Sequence, residues 1–343
     1  MNKLGLVFAG GGGKGGYEIG VWKYLHSIGL DKYVEVISGT SVGALNSVLF
    51  CNGDLELAEK IWIYQIKDKI LDPHSIQKYL KMIMGCIGGL RGVFSLIQNI
   101  ASDGIFSRAG LLEIIRKNID LNKISLSPKR LYCTCCEFPN IKAEYFTLNN
   151  EVLSQINQIL LASSAIPVAF GKIQINGKEY YDGGLKDNIP VKPLNIEGCS
   201  HAIIVGLDHK AVSNPKWHNH IPNIIEVFPS EDLGNFIKGT LDFSPEGTRR
   251  RIELGKKDAA KLAGQFKYFL KAFQKEIENK QNSETEQFID FKEPEKAIDN
   301  VICCKCKYKF RIENFDGKLL KIQKSTKKCP NCNEDILMRI AMK

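Results

Sequence analysis

The chain has 343 residues, of which 44% are hydrophobic and 25% charged, so it can hold one large domain and a small one, with the composition of an ordinary globular protein. Eleven cysteines, an odd number, and an N-terminus without an apolar leader and cleavage site predict a cytoplasmic protein that has neither disulfides nor a secretion signal. The formal net charge of +9 is concentrated in residues 301–343, which hold 11 Lys and Arg against 4 Asp and Glu. This charge is therefore no argument about the substrate of the remaining chain.

The first predicted elements surround a glycine-rich stretch. An apolar strand over residues 4–9 is followed by Gly10 to Gly16, interrupted only by Lys14, and then by a helical pattern. Glycines can direct several backbone N–H groups into one small space, which an oxyanion hole requires. The same spacing fits a dinucleotide-binding fingerprint, but that fingerprint needs an acidic residue at the end of the next strand, where the chain has Ile37-Ser38-Gly39. The oxyanion interpretation is favoured, and nucleotide binding is kept as the alternative.

The next predicted strand, residues 34–39, ends in Gly39-Thr40-Ser41-Val42-Gly43, and a helix is predicted over residues 42–52. This is the G-x-S-x-G pattern of a nucleophile elbow, in which the serine stands on a sharp turn between a strand and a helix. Ser41 could instead be a simple helix N-cap, but that interpretation leaves the glycines on both sides of it unexplained. Two strands joined through a helix also predict a parallel sheet.

The central and later parts of the chain are less regular. Residues 79–105 are apolar but interrupted by Lys81, Arg91 and glycines, so they do not form a membrane span and are either a buried helical pair or a lid that faces a membrane. The other predicted elements are helices over residues 56–66, 111–115 and 152–161, strands over 131–136, 145–148, 202–207 and, as the last strand, 224–228, one long basic helix over 245–277, and a polar linker over 281–296.

Asp182 follows a predicted hairpin, residues 172–181, whose Asn176-Gly177 pair is a strong turn signal. A serine hydroxyl is a weak nucleophile and needs a partner that takes its proton. Asp182 could take the proton directly, or it could orient His209 in a triad, since the order Ser41, Asp182, His209 matches that of Ser-Asp-His hydrolases. Partial burial would raise the pKa of Asp182 towards the range that suits a base.

Three motifs in this order resemble those of the patatin-like phospholipase family: Gly10-Gly11-Gly12-Gly13-Lys14-Gly15, Gly39-x-Ser41-x-Gly43 and Asp182-Gly183-Gly184. Two weaker blocks, Ala162-Ser163-Ser164-Ala165-Ile166-Pro167 and Asn188-Ile189-Pro190-Val191, agree with it. The resemblance implies an α/β three-layer fold with a mostly parallel central sheet, and hydrolysis of lipid acyl esters by a Ser41–Asp182 dyad without a catalytic metal. The amides of Gly11, Gly12 and Gly13 would form the oxyanion hole, with Gly10, Lys14 and Gly15 in the same loop. The remaining motif glycines, Gly39, Gly43, Gly183 and Gly184, would support the two catalytic residues.

The C-terminal region carries a separate signal. Cys303 and Cys306, followed after twenty-two residues by Cys329 and Cys332, have the spacing of a four-cysteine zinc ribbon. Cys304 could replace Cys303 in a tighter knuckle. Four thiolates leave no open coordination position, so the predicted Zn²⁺ is structural. The neighbouring lysines either compensate the charge of the zinc–thiolate centre or bind anionic lipid headgroups or nucleic acid.

These patterns together predict three regions: an acyl hydrolase domain over residues 1–243, a helical segment and polar linker over 244–297, and a zinc ribbon over 298–343. The predicted substrate is a lipid at a membrane surface, and the basic tail is a candidate contact to an anionic membrane, so the expected location is cytoplasmic or peripheral at a membrane. The alternative, from a different class, is a nucleotide-sensing or nucleic-acid-binding protein that uses the glycine loop or the ribbon.

Overall fold

The structure is a computed structural model, and it describes residues 2–67, 108–167, 171–209, 220–286, 298–302 and 309–312. The chain forms two compact units, Met1–Glu278 and Asn279–Lys343. The apolar segment at residues 79–105 lies outside the described residues. The four cysteines of the predicted zinc ribbon, Cys303, Cys306, Cys329 and Cys332, lie outside them as well.

The first unit is built on an eight-stranded sheet. The strands are β1 (Leu4–Phe8), β2 (Val34–Thr40), β3 (Arg130–Phe138), β4 (Lys142–Thr147), β5 (Ile173–Ile175), β6 (Lys178–Asp182), β7 (His201–Val205) and β8 (Asn223–Val227). Neighbouring strands in the order β3-β2-β1-β7-β8 are parallel, whereas β4 and β6 pair antiparallel with β3, and β5 pairs antiparallel with β6. The predicted α/β architecture with a mostly parallel sheet is confirmed.

Helices join and cover these strands. In the described residues they are α1 (Gly16–Ser27), α2 (Val42–Asn52), α3 (Leu55–Lys60), α4 (Arg108–Asn118), α5 (Leu121–Ser125), α6 (Leu153–Ser163), α7 (Lys192–Ile196), α8 (Pro245–Lys261) and α9 (Ala263–Glu286). Shorter helical turns are Gly12–Gly15, Asp31–Tyr33, Ile61–Gln65, Gly183–Leu185 and Phe236–Thr240. Among the described residues, no helix has both the length and the apolar character that a membrane crossing requires.

Both faces of the sheet are buried at its centre. Successive side chains of a strand point to opposite faces, and in β1 Leu6 and Phe8 belong to the larger hydrophobic cluster, while Val7 belongs to a second cluster that includes Leu194 of α7. Strands that are covered on both faces have nearly continuous apolar sequences. All five residues of β1 are accordingly buried.

Three expectations about the C-terminal part of the chain are wrong. The predicted single helix over residues 245–277 is two helices, α8 and α9, because Leu262 leaves the helical conformation with φ −96° and ψ 16°. The periodic pattern does not show this break, since apolar residues of both helices, such as Ile252 and Phe266, enter the same hydrophobic cluster. Residues 224–228 are also not the last strand: in the second unit β9 (Ile298–Ile302) pairs antiparallel with β10 (Lys309–Ile312). In addition, α9 continues to Glu286, inside the stretch predicted as a linker.

Candidate active site

Ser41 stands where β2 ends and α2 begins, with φ 55° and ψ −121°. Positive φ is uncommon for a residue with a side chain, and such strained conformations are concentrated at functional sites. The glycines around it are required by close backbone contacts. A Cβ atom on Gly39 would lie 2.3 Å from the carbonyl oxygen of Gly43, and a Cβ atom on Gly43 would lie 2.3 Å from that of Phe8. The local backbone is therefore that of the predicted nucleophile elbow, residues 39–43.

A buried serine from α6 holds the backbone of this elbow. The N–H of Ser41 donates to Oγ of Ser163 at 2.9 Å, and the hydroxyl of Ser163 donates to the carbonyl oxygen of Thr134 in β3 at 2.7 Å. Two residues after Ser163, the carbonyl oxygen of Ala165 accepts the N–H of Asp182 at 2.9 Å. This Ala-Ser-Ser-Ala block, residues 162–165, therefore contacts both predicted catalytic residues, a role that its sequence alone does not indicate.

Asp182 is the last residue of β6, and the residue is 6% exposed. The tight turn of the β5–β6 hairpin, with φ 51° at Asn176 and φ 79° at Gly177, sets the register between β5 and β6. Asp182 follows directly from this hairpin as the end of β6. Oδ1 of Asp182 accepts the N–H of Gly184 at 2.7 Å. Burial raises the pKa of Asp182 to about 6, and the partners that lower it, the hydroxyl of Ser41 and the N–H of Gly184, only partly offset burial.

The structure thus brings the side chains of Ser41 and Asp182 together. In the described chain no hydrogen bond of ordinary length and angle joins them, although the Ser41 hydroxyl is close enough to affect the pKa of the carboxyl. Catalytic hydrogen bonds are often long or poorly aligned before a substrate binds. The predicted triad partner, His209, contacts Asp208 instead. Its Nδ1 is 3.7 Å from Oδ1 of Asp208, and the structure records no bond from it to either residue of the pair within the described chain.

The glycine loop, residues 10–15, lies beside the elbow. A Cβ atom on Gly10 would lie 3.3 Å from Cβ of Ser41. Within the part of the chain that the structure describes, the N–H groups of Gly11, Gly12 and Gly13 have no hydrogen-bond acceptor, whereas the N–H of Lys14 donates to the carbonyl oxygen of Gly11 at 3.3 Å. Three unused amide donors next to a candidate nucleophile are the arrangement that an oxyanion hole needs.

Asn188 connects this loop to the Asp-Gly-Gly turn. Its side-chain amide donates to the carbonyl oxygen of Gly10 at 2.9 Å, and its backbone carbonyl accepts the N–H of Gly10 at 3.1 Å. A Cβ atom on Gly184 would lie 2.9 Å from Oδ1 of Asn188. The glycine loop also borders a cavity of about 180 Å³. The cavity is lined by Ala9, Gly10, Gly11, Lys14, Asn188, Ile189, Leu207, Asp208 and Thr240.

A buried polar group that sequence analysis missed lies under the loop. Glu18 of α1 is fully buried, and its Oε2 accepts the side-chain amide of Asn46 at 2.7 Å. Asn46 also donates to the carbonyl oxygen of Gly15 at 3.1 Å and accepts Nε1–H of Trp62 at 2.7 Å. Burial raises the pKa of Glu18 well above its usual value, more than the bond from Asn46 lowers it. The available signal was its position in the first half of α1, residues 16–22, where the other residues are apolar or glycine.

Comparison with known proteins identifies the class. A family model described as patatin-like phospholipase matches residues 6–195, more than half of the chain. The chain belongs to the patatin-like phospholipase family, and the resemblance inferred from the motifs is confirmed. Its match to the uncharacterized protein YjjU of Escherichia coli (strain K12) is 26% identical over 241 residues, covering 69% of this chain and 61% of that protein. This chain therefore spans less than two thirds of that relative.

Two solved structures show lower similarity. VipD from Legionella pneumophila is 18% identical, with a TM-score of 0.43, over 76% of this chain and 67% of that chain. The type III effector protein ExoU from Pseudomonas aeruginosa is 15% identical, with a TM-score of 0.42, over 78% of this chain and 53% of that chain.

Proposed function

We propose that this chain hydrolyses acyl esters of lipids, with Ser41 as the nucleophile and Asp182 as the base. Membership of the patatin-like phospholipase family supports the substrate class. The observation that carries the proposal is the buried carboxyl of Asp182 facing Ser41 in a strained backbone conformation. A nucleotide-binding glycine loop would not need to lie against such a serine.

The reaction takes two steps. The Ser41 oxygen attacks the ester carbonyl carbon while its proton passes to the Asp182 carboxylate, and the lipid alcohol then leaves with that proton, so that an acyl-serine remains. Water next attacks the acyl-serine, Asp182 takes a proton from the water, and the fatty acid leaves as the proton returns to the Ser41 oxygen. A base works best when its pKa lies near the working pH, and burial moves the pKa of Asp182 in that direction, to about 6.

The negative charge that develops on the carbonyl oxygen needs donors that are already in place. We assign this role to the unused N–H groups of Gly11, Gly12 and Gly13, with Gly10 and Gly15 shaping the loop. Removing one oxyanion donor typically lowers kcat by about 10²- to 10³-fold, which shows how much such a loop contributes. Lys14 borders the adjoining cavity, where its charge can add to the stabilisation.

The test combines a covalent probe with a soluble substrate. A fluorophosphonate probe is expected to label the wild-type chain at Ser41, with the labelled peptide identified by mass spectrometry, and hydrolysis of a short-chain ester is expected to be lost in Ser41→Ala. Vesicles of phosphatidylcholine with and without an anionic phospholipid then test the lipid substrate. Labelling of Ser41→Ala at the wild-type rate, together with unchanged ester hydrolysis, would exclude this function.

A further inference from the structure

Arg251 is a buried cation outside the region that the family model matches, residues 6–195. It lies in α8, and its side chain is 1% exposed. Nη1 donates to the carbonyl oxygens of Gly13 at 3.1 Å and of Asp242 at 2.7 Å. Nη2 donates to the carbonyl oxygen of Lys238 at 3.1 Å and to Oδ2 of Asp242 at 2.8 Å. One guanidinium therefore connects the glycine loop to the segment that precedes α8.

Burying a charge in this way is costly unless the charge is paired and hydrogen-bonded. The ion pair with Asp242 supplies the opposite charge. Although burial alone raises the pKa of Asp242, hydrogen bonds from Ser244 and the charge of Arg251 hold it below its usual value, so the carboxylate is ionised at neutral pH. The fork geometry of arginine lets one side chain reach several carbonyl oxygens, which a lysine ammonium on a similar stem does less well.

The same segment also contacts the glycine loop through its backbone. A Cβ atom on Gly12, whose φ is +58°, would lie 2.3 Å from the carbonyl oxygen of Thr240. A Cβ atom on Gly13 would lie 2.1 Å from that of Asp242. Only glycines allow this approach, so loop and segment are packed backbone against backbone. Arg251 holds both partners of this contact.

The bond to Gly13 also fixes a peptide plane. A peptide unit is planar and trans, so its C=O and N–H groups point in opposite directions. The carbonyl of Gly13 is held by Arg251, and the N–H of the same peptide unit, which belongs to Lys14, donates to Gly11 at 3.3 Å. The turn over residues 11–14 is thus held from both sides, which leaves the amides of Gly11, Gly12 and Gly13 as the unused donors.

We propose that Arg251, paired with Asp242, is a positioning residue for the oxyanion loop. This inference rests on the proposed function, in which those three amides stabilise the transition state. Arg251 touches no reacting atom. It fixes the direction of amide donors through the Gly13 carbonyl, and displacing such donors weakens an interaction that is strongest in the transition state.

The test separates positioning from general stability by the kinetic parameter that changes. Arg251→Met keeps an unbranched side chain of similar length but removes the guanidinium group. We expect kcat on a soluble ester to fall at least tenfold, with KM within about twofold of wild type. The reason is that a lost transition-state interaction lowers kcat and kcat/KM together. The rate of fluorophosphonate labelling at Ser41 should fall in parallel. Arg251→Lys, which can still donate to one carbonyl, should recover part of kcat.

Asp258→Asn is the matched control. Asp258 lies in the same helix, is 5% exposed, and binds Tyr17, Ser230 and Lys261 rather than the glycine loop. It should lower stability without lowering kcat. If Arg251→Met does not unfold cooperatively, Asp242→Asn decides, because it removes the opposite charge that pairs with the buried guanidinium while leaving Arg251 in place, and it should also lower kcat at constant KM.

Equal kcat in wild type and in a folded Arg251→Met, or in Asp242→Asn where the first does not fold, would overturn the inference. Failure of the proposed function would give a different result: with Arg251 and Asp242 unchanged, Ser41→Ala would hydrolyse the ester as fast as wild type.

Discussion

At the scale of single residues, the candidate site depends on a serine in a strained backbone conformation and on a buried carboxyl. Ser41 is held at φ 55° by its backbone bond to Ser163, and Asp182, at the end of β6, is almost completely buried. Burial disfavours the ionised form of Asp182, whereas the base function requires that form. The two requirements meet in a carboxyl that titrates near pH 6.

We predict that Ser41→Ala and Asp182→Asn each lower hydrolysis of a short-chain ester by at least about a hundredfold, the range of a lost general base or more. The double variant should be about as inactive as either single one, because residues that act as a unit are not additive. His209→Ala should stay close to wild type, since the contact of its Nδ1 is to Oδ1 of Asp208, at 3.7 Å. Near-full activity of Asp182→Asn together with an inactive His209→Ala would instead support the triad.

The pH dependence of stability provides a second test at this residue. The pKa of Asp182 is raised in the folded state, so the folded chain holds its proton over a range in which the unfolded chain has lost it. Stability from this group is fully present below about pH 4, the unfolded pKa, and is lost as the pH rises through about 6. Asp182→Asn should therefore be the more stable chain at pH 8, by up to about 3 kcal/mol for a shift of this size.

Urea unfolding of both chains at pH 4, 6 and 8 measures this difference, and Asp208→Asn is a control because its carboxyl side chain is 61% exposed. A stability difference between wild type and Asp182→Asn that does not change with pH would contradict the prediction. For catalysis the sign is opposite. Ester hydrolysis by the wild type should rise with pH through about 6, as Asp182 becomes ionised.

At the scale of elements, α1 follows the glycine loop directly and also contacts it through Asn46 of α2. Glu18 in its first turn is fully buried, with Oε1 unpaired among the described residues, and its partner Asn46 in α2 holds the carbonyl oxygen of Gly15. The pKa of Glu18 is raised well above its usual value because burial outweighs the bond from Asn46. Glu18 therefore connects two helices at the base of the loop, and burial favours its protonated form.

We predict that Glu18→Gln, which is neutral at every pH, gains stability relative to wild type as the pH rises. The wild-type contribution is fully present below about pH 4.3, the unfolded pKa, and is lost as the pH rises towards the raised folded pKa. Glu18→Ala should lose about 1–3 kcal/mol, because it leaves the Asn46 amide with a missing partner. Denaturant unfolding between pH 4 and 8 tests both changes, and a Glu18→Gln difference that is constant over this range would contradict the raised pKa of Glu18.

At the scale of the whole molecule, every residue of the proposed mechanism belongs to the first unit, Met1–Glu278, and the predicted zinc ligands belong to the second, Asn279–Lys343. The binding free energy of a structural zinc ion is largely folding free energy for such a short segment. We therefore propose that the second unit has a regulatory or docking role and that the chemical step does not require it.

Truncation after residue 296 is expected to keep turnover of a soluble ester within about tenfold, equivalent to about 1.4 kcal/mol of barrier. Full-length protein should contain one zinc ion per chain, and Cys329→Ser should lose it. Binding to anionic vesicles should fall on truncation, and in the full-length chain it should weaken with salt if the basic tail makes the contact. A truncated chain that folds, yet loses soluble-ester turnover by many powers of ten, would contradict this division of roles.

The sequence by itself determined the motifs and the elements next to them. A nucleophile elbow, a glycine loop and an Asp-Gly-Gly turn are each short and contiguous, and each follows an apolar strand, so Ser41, Asp182 and residues 10–15 could be predicted together with the mostly parallel sheet. The family followed from the order of these motifs. The zinc ribbon stays a prediction, since its cysteines lie outside the described residues.

Only the tertiary structure decided which residues hold the site in place. Ser163 lies 122 positions from Ser41 in the chain, and Arg251 lies 238 positions from Gly13. Such contacts leave no periodic or local pattern, because they depend on how separate elements pack. The break at Leu262 and the buried Glu18 were missed for a related reason: the burial of a side chain is set by the elements packed around it, which its neighbours in sequence do not reveal.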